Sequence, residues 1–372
     1  MTRGILVIGL GQLGFDIAHL LSQTPNIGKI ILADNNEESG TNRTENVVYT
    51  AAHQGFYPSI EFAKIDLSDV DRTAQQLTEI QPDLIINATT LMSWWVHHTL
   101  SRSTFEKVNE AGLGPQTPMH LALTYRLMLA RKKAKCEALV VNCSYSDVVN
   151  PVLAKIGLAP TVGGGNMDLN TPKIRYLVSQ KLKVPIQNVS VYLVGHHGLL
   201  TAWMQDEFWA KILVGDKDVS NKFPINLLRD YLYPKVKADM SGGETFRVPP
   251  NRDIAASFVK NALAIYFDRG IITNAPGPAG YPGCYPVRIS AKGAEIYLPD
   301  GLTLREAIRI NEKNAKRDGV EKIREDGTLV ITDKAAKIVK DVFDFECKEL
   351  RIQNSMEDAE ALLAKFKKVL KR

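Results

Sequence analysis

The stretch GILVIGLGQLGFDIAHLLSQ, residues 4–23, decides which fold the sequence predicts for the first part of the chain. Its first six residues are an apolar run that predicts a buried strand, and its last eleven predict an amphipathic helix. Between them, Gly9, Gly11 and Gly14 have the G-x-G-x-x-G spacing. The first glycine suits the tight turn, the second lets backbone amides approach a pyrophosphate, and the third lets the helix pack close to the sheet. The stretch therefore predicts a dinucleotide-binding βα unit.

An acidic residue strengthens this prediction and indicates which cofactor binds. Asp34 ends the next apolar run, 29–34, where a carboxylate accepts hydrogen bonds from an adenosine ribose. A carboxylate at this point repels a 2′-phosphate, so NAD is the expected cofactor. Arg43 follows nine residues later and leaves NADP open, because an arginine there can bind that phosphate. The expected cofactor contacts are Gly9, Gly11, Gln12, Leu13, Gly14, Asp34, Asn35, Asp66, Ala88, Thr89 and Asn142.

Short apolar runs alternate with helical patterns up to residue 145. Further strands are predicted at 29–34, 61–66, 83–88 and 137–142, and helices at 69–80 and 117–133. The residues between the second and third strands read as a polar loop. This alternation is typical of a parallel sheet with helices on both faces, so residues 1–145 predict a doubly wound Rossmann domain.

Residues 146–372 lose this alternation and predict an α+β domain that carries the substrate site. The expected elements are helices at 147–158, 172–184 and 252–270, a strand at 188–195 and a hairpin at Gly215-Asp216. Residues 277–287, GPAGYPGCYPV, are rich in Gly and Pro and predict an ordered loop. Two helices with capping-box spacing follow, at Thr303 with Glu306 and at Ser355 with Asp358.

The composition of the 372 residues, 45% hydrophobic and 23% charged, is typical of a globular protein. The net charge of +5 is spread over the chain without a basic block, which argues against a nucleic-acid partner. The longest uncharged stretch, 84–101, contains Asn, Thr, Ser and two His and does not suit a membrane span. No signal peptide is predicted. The cysteines at 136, 143, 284 and 347 lack metal-site or disulfide-framework spacing, so a reduced cytoplasm and no metal are expected.

Two adjacent histidines mark the candidate catalytic segment, VYLVGHHGLL, residues 191–200. A strand pattern runs into Gly195, and His196 and His197 follow before Gly198. Paired histidines at the end of a strand are often structural, so their role depends on what precedes them. An imidazole can accept and donate a proton near neutral pH, which makes either residue a candidate acid–base group.

The stretch NMDLNTPKIRYLVSQKLKVPIQNVSVYLVGHHG, residues 166–198, resembles the lactate and malate dehydrogenase family. In that family a helix with an Asp and a substrate-binding Arg is followed by a strand that ends in Gly-Glu-His-Gly. The register implies that His197 is the catalytic histidine and that Asn170 stands where the family has the Asp that orients it. Asp168 is the second candidate partner of His197, and Asn170 is favoured. The resemblance implies a Rossmann domain followed by a lactate/malate dehydrogenase-like α+β domain, NAD-dependent activity, and a homodimer or homotetramer.

The same resemblance implies substrate contacts that differ from the family pattern. Lys173 stands where the family has the arginine that grips a carboxylate, and lysine lacks the two-pronged fit of arginine. The loop that follows the fourth strand is long and aromatic, which suggests an acid bulkier than lactate or malate. Trp94 and Trp95 in this loop form either a lid or a packed anchor. The expected substrate contacts are Asn142, Lys173, Arg252 and Arg102.

Three functions are compatible with this sequence. The leading hypothesis is an NAD-dependent oxidoreductase that transfers a hydride between nicotinamide and a hydroxy or keto substrate. The second is an enzyme like the NAD-dependent family 4 glycosidases, which GHHGLLTAW faintly resembles, although VGGGNMD lacks the metal-binding Cys expected there. The third is a nucleotide-binding regulator without catalysis, which the changes at Asn170 and Lys173 permit.

Overall fold

The structure, a computed structural model, describes residues 4–201, 208–233 and 252–370. The first part contains a parallel sheet. Its strands are β1 Gly4–Ile8, β2 Lys29–Asp34, β3 Ser59–Lys64, β4 Leu84–Asn87 and β5 Leu139–Asn142. They lie in the order β3-β2-β1-β4-β5, and every neighbouring pair is parallel. This strand order confirms the predicted Rossmann sheet, whose crossover lies between β1 and β4.

Alternate residues of β1 belong to two different cores. Ile5 and Val7 pack into the core on one face of the sheet, while Leu6 and Ile8 pack into the core on the other. A strand buried on both faces is apolar at every position, which is why the run predicted a strand without alternation. The helices of this part are α1 Gln12–Ser22, α2 Glu37–His53, α3 Val70–Ile80, α4 Arg102–Ala111, α5 Thr117–Lys133 and α6 Ser146–Ala154.

The prediction of a polar loop between β2 and β3 is wrong, because helix α2 occupies most of it. Asn36 caps the helix by accepting a hydrogen bond from the Ser39 amide, and two glutamates lie in the first turn, where they complement the helix dipole. The buried stripe of α2 includes Gly40 and Thr44, small residues that carry little apolar signal. A side chain at Gly40 would overlap the ring of Phe62, so the glycine lets α2 lie close to β3.

The second part contains three antiparallel sheets, which confirms the predicted α+β architecture. Their orders are β6-β7-β8, β11-β10-β9 and β12-β13-β14. The strands are β6 Val189–Val194, β7 Trp209–Val214, β8 Lys217–Asp218, β9 Ile271–Pro276, β10 Cys284–Ser290, β11 Gly293–Ile296, β12 Val320–Ile323, β13 Leu329–Ile331 and β14 Glu349–Leu350. The helices are α7 Asn170–Leu182, α8 Gly198–Thr201, α9 Ile225–Leu232, α10 Arg252–Tyr266, α11 Leu304–Ala315, α12 Asp333–Phe343 and α13 Ser355–Leu370.

The local signals of the second part mostly hold. The hairpin turns at Gly215, whose φ is +57°, and Thr303 forms the predicted capping box with Glu306. The loop prediction for 277–287 is wrong at its end, because β10 begins at Cys284. There the chain pairs with β9 and buries the Tyr285 ring completely, and this pairing outweighs the local Pro content.

Helices from the second part contribute side chains to the cores on both faces of the parallel sheet. Residues of α12 and α13 join the core on one face, and residues of α10 join the core on the other. The boundary near residue 145 therefore stays a prediction, since no core is confined to residues 1–145. A third core lies between α7, α9 and the β6–β7 pair. None of the described helices is long and apolar enough to cross a membrane. All four cysteines are free thiols.

Candidate functional site

The glycine loop between β1 and α1 leaves space for a dinucleotide. Gly9 has φ +92°, and a Cβ there would lie 2.9 Å from the carbonyl carbon of Ala88. A Cβ on Gly14 would overlap the Gly9 carbonyl, so this glycine allows α1 to approach the loop. Gly11 precedes α1 without a side-chain cap, and a Cβ there would meet no described atom within 4 Å. The open space over a helix N-terminus fits the pyrophosphate of a nicotinamide dinucleotide.

Asp34 is held at the carboxyl end of β2. Its carboxylate accepts hydrogen bonds from the backbone amides of Leu10, at 2.7 Å, and Asn36, at 2.9 Å. Arg43 donates to the Leu10 carbonyl, and its guanidinium lies 5.4 Å from the centre of the Phe15 ring. A cleft of about 450 Å³ opens beside these groups and suits the adenosine end of the cofactor. Its lining is Phe15, Asn36, Glu38, Ser39, Asn42, Arg43 and Asn46.

The other expected cofactor residues lie at the same edge of the sheet. Ala88 and Thr89 follow β4 beside the glycine loop, and the Thr89 hydroxyl donates to the Asn87 side chain at 2.7 Å. Asp66 is exposed after β3 and accepts the Ser68 amide at 2.9 Å. Gln12 and Asn35 are exposed, and Leu13 is half-buried. These positions are compatible with cofactor contact, which stays a prediction.

His197 is paired with a carboxylate that sequence reasoning did not identify. Its Nδ1 lies 2.7 Å from Oδ2 of Asp318, which is fully buried in the turn between α11 and β12. The expected pairing of His197 with Asn170 or Asp168 is therefore wrong. The actual partner lies 121 residues further along the chain, and no local motif marks it.

Asp168 and Asn170 instead stabilise the packing around α7. The Asp168 carboxylate accepts hydrogen bonds from the Ser257 hydroxyl at 2.5 Å and from the Lys260 ammonium at 2.7 Å, both on α10. Asn170 is fully buried, and its carbonyl oxygen accepts a hydrogen bond from the Tyr233 hydroxyl at 3.3 Å. Both side chains thus tie α7 to neighbouring segments.

The electrostatics of the pair favour a protonated imidazole beside an ionised carboxylate. Burial lowers the pKa of His197, but the charge and hydrogen bond of Asp318 and the charge of Asp147 outweigh burial and raise it. Burial raises the pKa of Asp318, but the charge and hydrogen bond of His197 outweigh it and hold that pKa at about 2. His197 therefore carries a proton more readily than an ordinary histidine, and Asp318 stays ionised.

A second buried carboxylate fixes the backbone of the histidine turn. Asp147 accepts the backbone amide of His197 at 3.1 Å and also the side-chain amide of Asn166. His196 points elsewhere: it is fully buried, and its Nδ1 accepts the Gly198 amide at 3.0 Å. Burial lowers the pKa of His196, so its ring is held neutral.

The loop after β4 brings a further histidine to the site. The pKa of His97 is lowered to about 3, mainly by burial and then by His98, and His197 also contributes. The pKa of His120 on α5 is lowered to about 4, again mainly by burial and then by His197. The imidazole rings of His97 and His120 are therefore neutral at physiological pH. Trp94 lies edge-on to His98, at 5.7 Å between ring centres.

The expected substrate residues are spread over the molecule. Asn142 is fully buried, and its two amide hydrogens are donated to Ser144 and Asn150, each at 3.0 Å. The Asn142 amide thus belongs to an internal network, and its contact with cofactor or substrate stays a prediction. Arg102 is exposed and pairs with Glu106 at 3.1 Å. Lys173 is exposed on α7, and Arg252 is exposed at the start of α10, where its charge reaches His19 of α1.

Comparison with known proteins supports this architecture. A family model described as the saccharopine dehydrogenase NADP binding domain matches residues 5–102. The lactate dehydrogenase of Cryptosporidium parvum, solved with lactic acid and nicotinamide adenine dinucleotide, is 18% identical with a TM-score of 0.56, over 86% of this chain and 97% of that one. The chain has the fold of the lactate and malate dehydrogenases. The fold implied by the sequence resemblance is thereby confirmed.

Two further structures agree with this assignment. The lactate dehydrogenase of Eimeria maxima, solved with NADH and oxamate, is 16% identical with a TM-score of 0.59, over 85% of this chain and 92% of that one. The malate dehydrogenase of Aeropyrum pernix is 18% identical with a TM-score of 0.59, over 84% of this chain and 97% of that one. No curated protein matches the sequence.

The pairing of His197 predicts a change in its titration when Asp318 loses its charge. Asp318→Asn keeps the size of the side chain but removes the charge that favours imidazolium, so the pKa of His197 is expected to fall by about one unit or more. Titration of the histidine ring signals by NMR measures this shift. Asp341→Asn, at an exposed position on α12, is the control and should leave His197 unchanged. A His197 pKa that stays in place in Asp318→Asn would contradict the pairing.

The role given to Asp168 predicts a loss of stability. Asp168→Ala leaves the Ser257 hydroxyl and the partly buried Lys260 ammonium without their shared acceptor, and a loss of about 3 kcal/mol in unfolding free energy is expected. Asp168→Asn keeps an acceptor and should lose less. Urea unfolding measures both variants. Equal stability of wild type and Asp168→Ala would show that Thr273 and Asn274, the other acceptors of Lys260, suffice.

Proposed function

We propose that this protein is an oxidoreductase that transfers a hydride between a nicotinamide dinucleotide and a hydroxyl or keto carbon of a small molecule. The observation that supports it most is the His197–Asp318 pair. The backbone of His197 is bound to Asp147, which lies at the start of α6 just after the carboxyl end of β5. The glycine loop follows the carboxyl end of β1, so both features lie at the edge of the sheet where such folds bind ligands.

The geometry allows His197 to act as acid and base. Asp318 accepts from Nδ1, so the hydrogen-bond geometry places a proton there and leaves Nε2 for the substrate. The bound dinucleotide supplies or accepts the hydride. In oxidation Nε2 takes the hydroxyl proton, and in reduction protonated Nε2 gives it to the carbonyl oxygen. Asp318 orients the ring and stays ionised throughout.

The substrate is proposed to be a hydroxy or keto acid bulkier than lactate or malate. Lys173 is the favoured partner of its carboxylate. It lies in the first turn of α7, and Met167, in the short helical turn that leads into α7, lies against Gly195 beside the histidine turn. Arg252 and Arg102 remain candidates for the same role. The homodimer or homotetramer and the cytoplasmic location stay predictions, and light scattering would test the first of these.

The acid–base role predicts a loss of turnover without loss of the cofactor. His197→Gln removes the proton carrier, and turnover is expected to fall roughly a hundredfold or more while the affinity for the dinucleotide changes little. The assay follows NADH and NADPH absorbance with a panel of keto and hydroxy acids of increasing size. His53→Gln, at an exposed position on α2, serves as the matched control. Turnover in His197→Gln equal to wild type would rule out this role.

The proposed cofactor is NAD. Two backbone amides hold the Asp34 carboxylate at the carboxyl end of β2, where it would meet an adenosine ribose, and Arg43 is bound to the Leu10 carbonyl. The matching family model describes an NADP-binding domain, so both nucleotides belong in the test. NADH is expected to bind about tenfold or more tightly than NADPH, a difference of about 1.4 kcal/mol.

Variants in the cleft beside Asp34 and Arg43 distinguish an NAD site from an NADP site. Asp34→Ala should reduce the ratio of NADH to NADPH affinity, because it removes the repulsion between the carboxylate and the 2′-phosphate. Asp66→Ala should leave this ratio unchanged. Arg43→Ala should leave NADPH affinity unchanged if the guanidinium is structural. Fluorescence titration measures all three variants. Equal affinities of wild type for NADH and NADPH would contradict the proposed preference for NAD. A selective loss of NADPH binding in Arg43→Ala would show that Arg43 binds the 2′-phosphate.

A further inference from the structure

Tyr145 shares the carboxylate oxygen that binds His197. Its hydroxyl donates to Oδ2 of Asp318 at 2.5 Å, and Nδ1 of His197 lies 2.7 Å from the same oxygen. The other oxygen of Asp318 accepts the backbone amide of Leu113 at 2.9 Å. The two rings meet edge to face, with 5.4 Å between their centres. A single buried carboxylate thus receives a phenol, an imidazole and a backbone amide.

The backbone of Tyr145 holds this hydroxyl in place. The residue has φ +46° and ψ +51°, the left-handed region that a bulky side chain adopts rarely and at a cost. It is only 5% exposed, and its carbonyl accepts the amides of Val148 and Val149 in the first turn of α6. Such a conformation persists where the surrounding packing over-determines it, so the orientation of the phenol is fixed by the fold.

We propose that Tyr145 is a positioning residue that sets the proton affinity of His197 by sharing Oδ2 of Asp318, and this rests on the acid–base role proposed above. A hydroxyl that donates to Oδ2 withdraws negative charge from it and weakens its attraction for the imidazolium. His197 is thereby kept nearer to the range in which it can both give and take a proton. Without this donor, Asp318 would hold the imidazolium more strongly and the ring would release its proton less readily.

The phenol is a constant donor at physiological pH. Burial, and then the charge of Asp318, raise the pKa of Tyr145 well above its usual value. The hydroxyl therefore keeps its proton over the whole range in which His197 titrates. It acts as a fixed dipole on the carboxylate, whereas His197 changes charge.

The other titratable groups that face His197 lie on three further elements, and Tyr145→Phe keeps each of these side chains and the ring at position 145. Asp147 of α6 accepts the backbone amide of His197, and its charge favours imidazolium. His196 on the same turn, His97 in the loop after β4 and His120 on α5 have pKa values lowered chiefly by burial. A shift of the His197 pKa in a variant that loses only the phenol hydroxyl is thus attributable to that hydroxyl.

Tyr145→Phe tests this, because it keeps the ring and removes the donor. The pKa of His197, followed by NMR and assigned with His197→Gln, is expected to rise by about one unit. Asp318→Asn should move the same signal in the opposite direction. The basic limb of kcat/KM for reduction should shift upward with the NMR value. Tyr192→Phe, on the strand that leads to His197, is the matched control and should leave the titration unchanged.

A second measurement keeps the inference open to refutation if Tyr145→Phe does not fold. Difluorotyrosine placed at 145 is a stronger donor, so it should lower the pKa of His197 below the wild-type value. An unchanged His197 pKa in either folded variant overturns the inference, whatever the turnover. The His197 pKa could shift in the expected direction while the wild-type protein turns over no substrate of the panel. This result would support the link between Tyr145 and His197 and refute the proposed function.

Discussion

The buried carboxylate of Asp318 is the constraint around which the candidate site is organised. A charge without access to water is tolerated only where donors surround it, and here they come from three distant parts of the chain. The Leu113 amide follows α4, the Tyr145 hydroxyl follows β5, and the His197 ring follows β6. Any arrangement that separates these segments leaves a buried charge unpaired. The carboxylate therefore links the Rossmann sheet to the histidine turn.

Close backbone approach makes this convergence possible. Side chains at Gly112 and Gly114 would overlap the backbone around Asp318, and one at Gly198 would overlap the Asn314 carbonyl at the end of α11. Gly319, with φ +80°, then turns the chain from Asp318 into β12. Gly112 and Gly114 in the segment after α4, and Gly198 in the histidine turn, let two segments of the chain pack against one turn. Their role is steric, since each lies where backbone meets backbone.

Much of the cofactor half of the site could be predicted because its signals are local. The three glycines of the loop and Asp34 occur within a single strand–helix–strand unit, and Gly9, Gly14 and Asp34 each have a direct backbone consequence in the structure. His197 could be proposed from its position at the end of a strand and from the family resemblance. The partner of His197 could not be predicted. Alignment of α7 with the family pattern indicates Asn170, whereas in the structure the partner is Asp318, in the turn after α11.

The sequence by itself determined the parallel sheet, the glycine loop and most helices, because strand hydrophobicity, turn residues and capping pairs act over a few residues. It failed for α2, where the buried stripe includes Gly40 and Thr44, which weaken the apolar pattern. Only the tertiary structure decided that Asp318, Tyr145 and Asp147 meet His197. His197 and Asp318 are 121 residues apart in sequence, and their contact depends on how the sheets and helices pack. Local sequence patterns do not encode that packing.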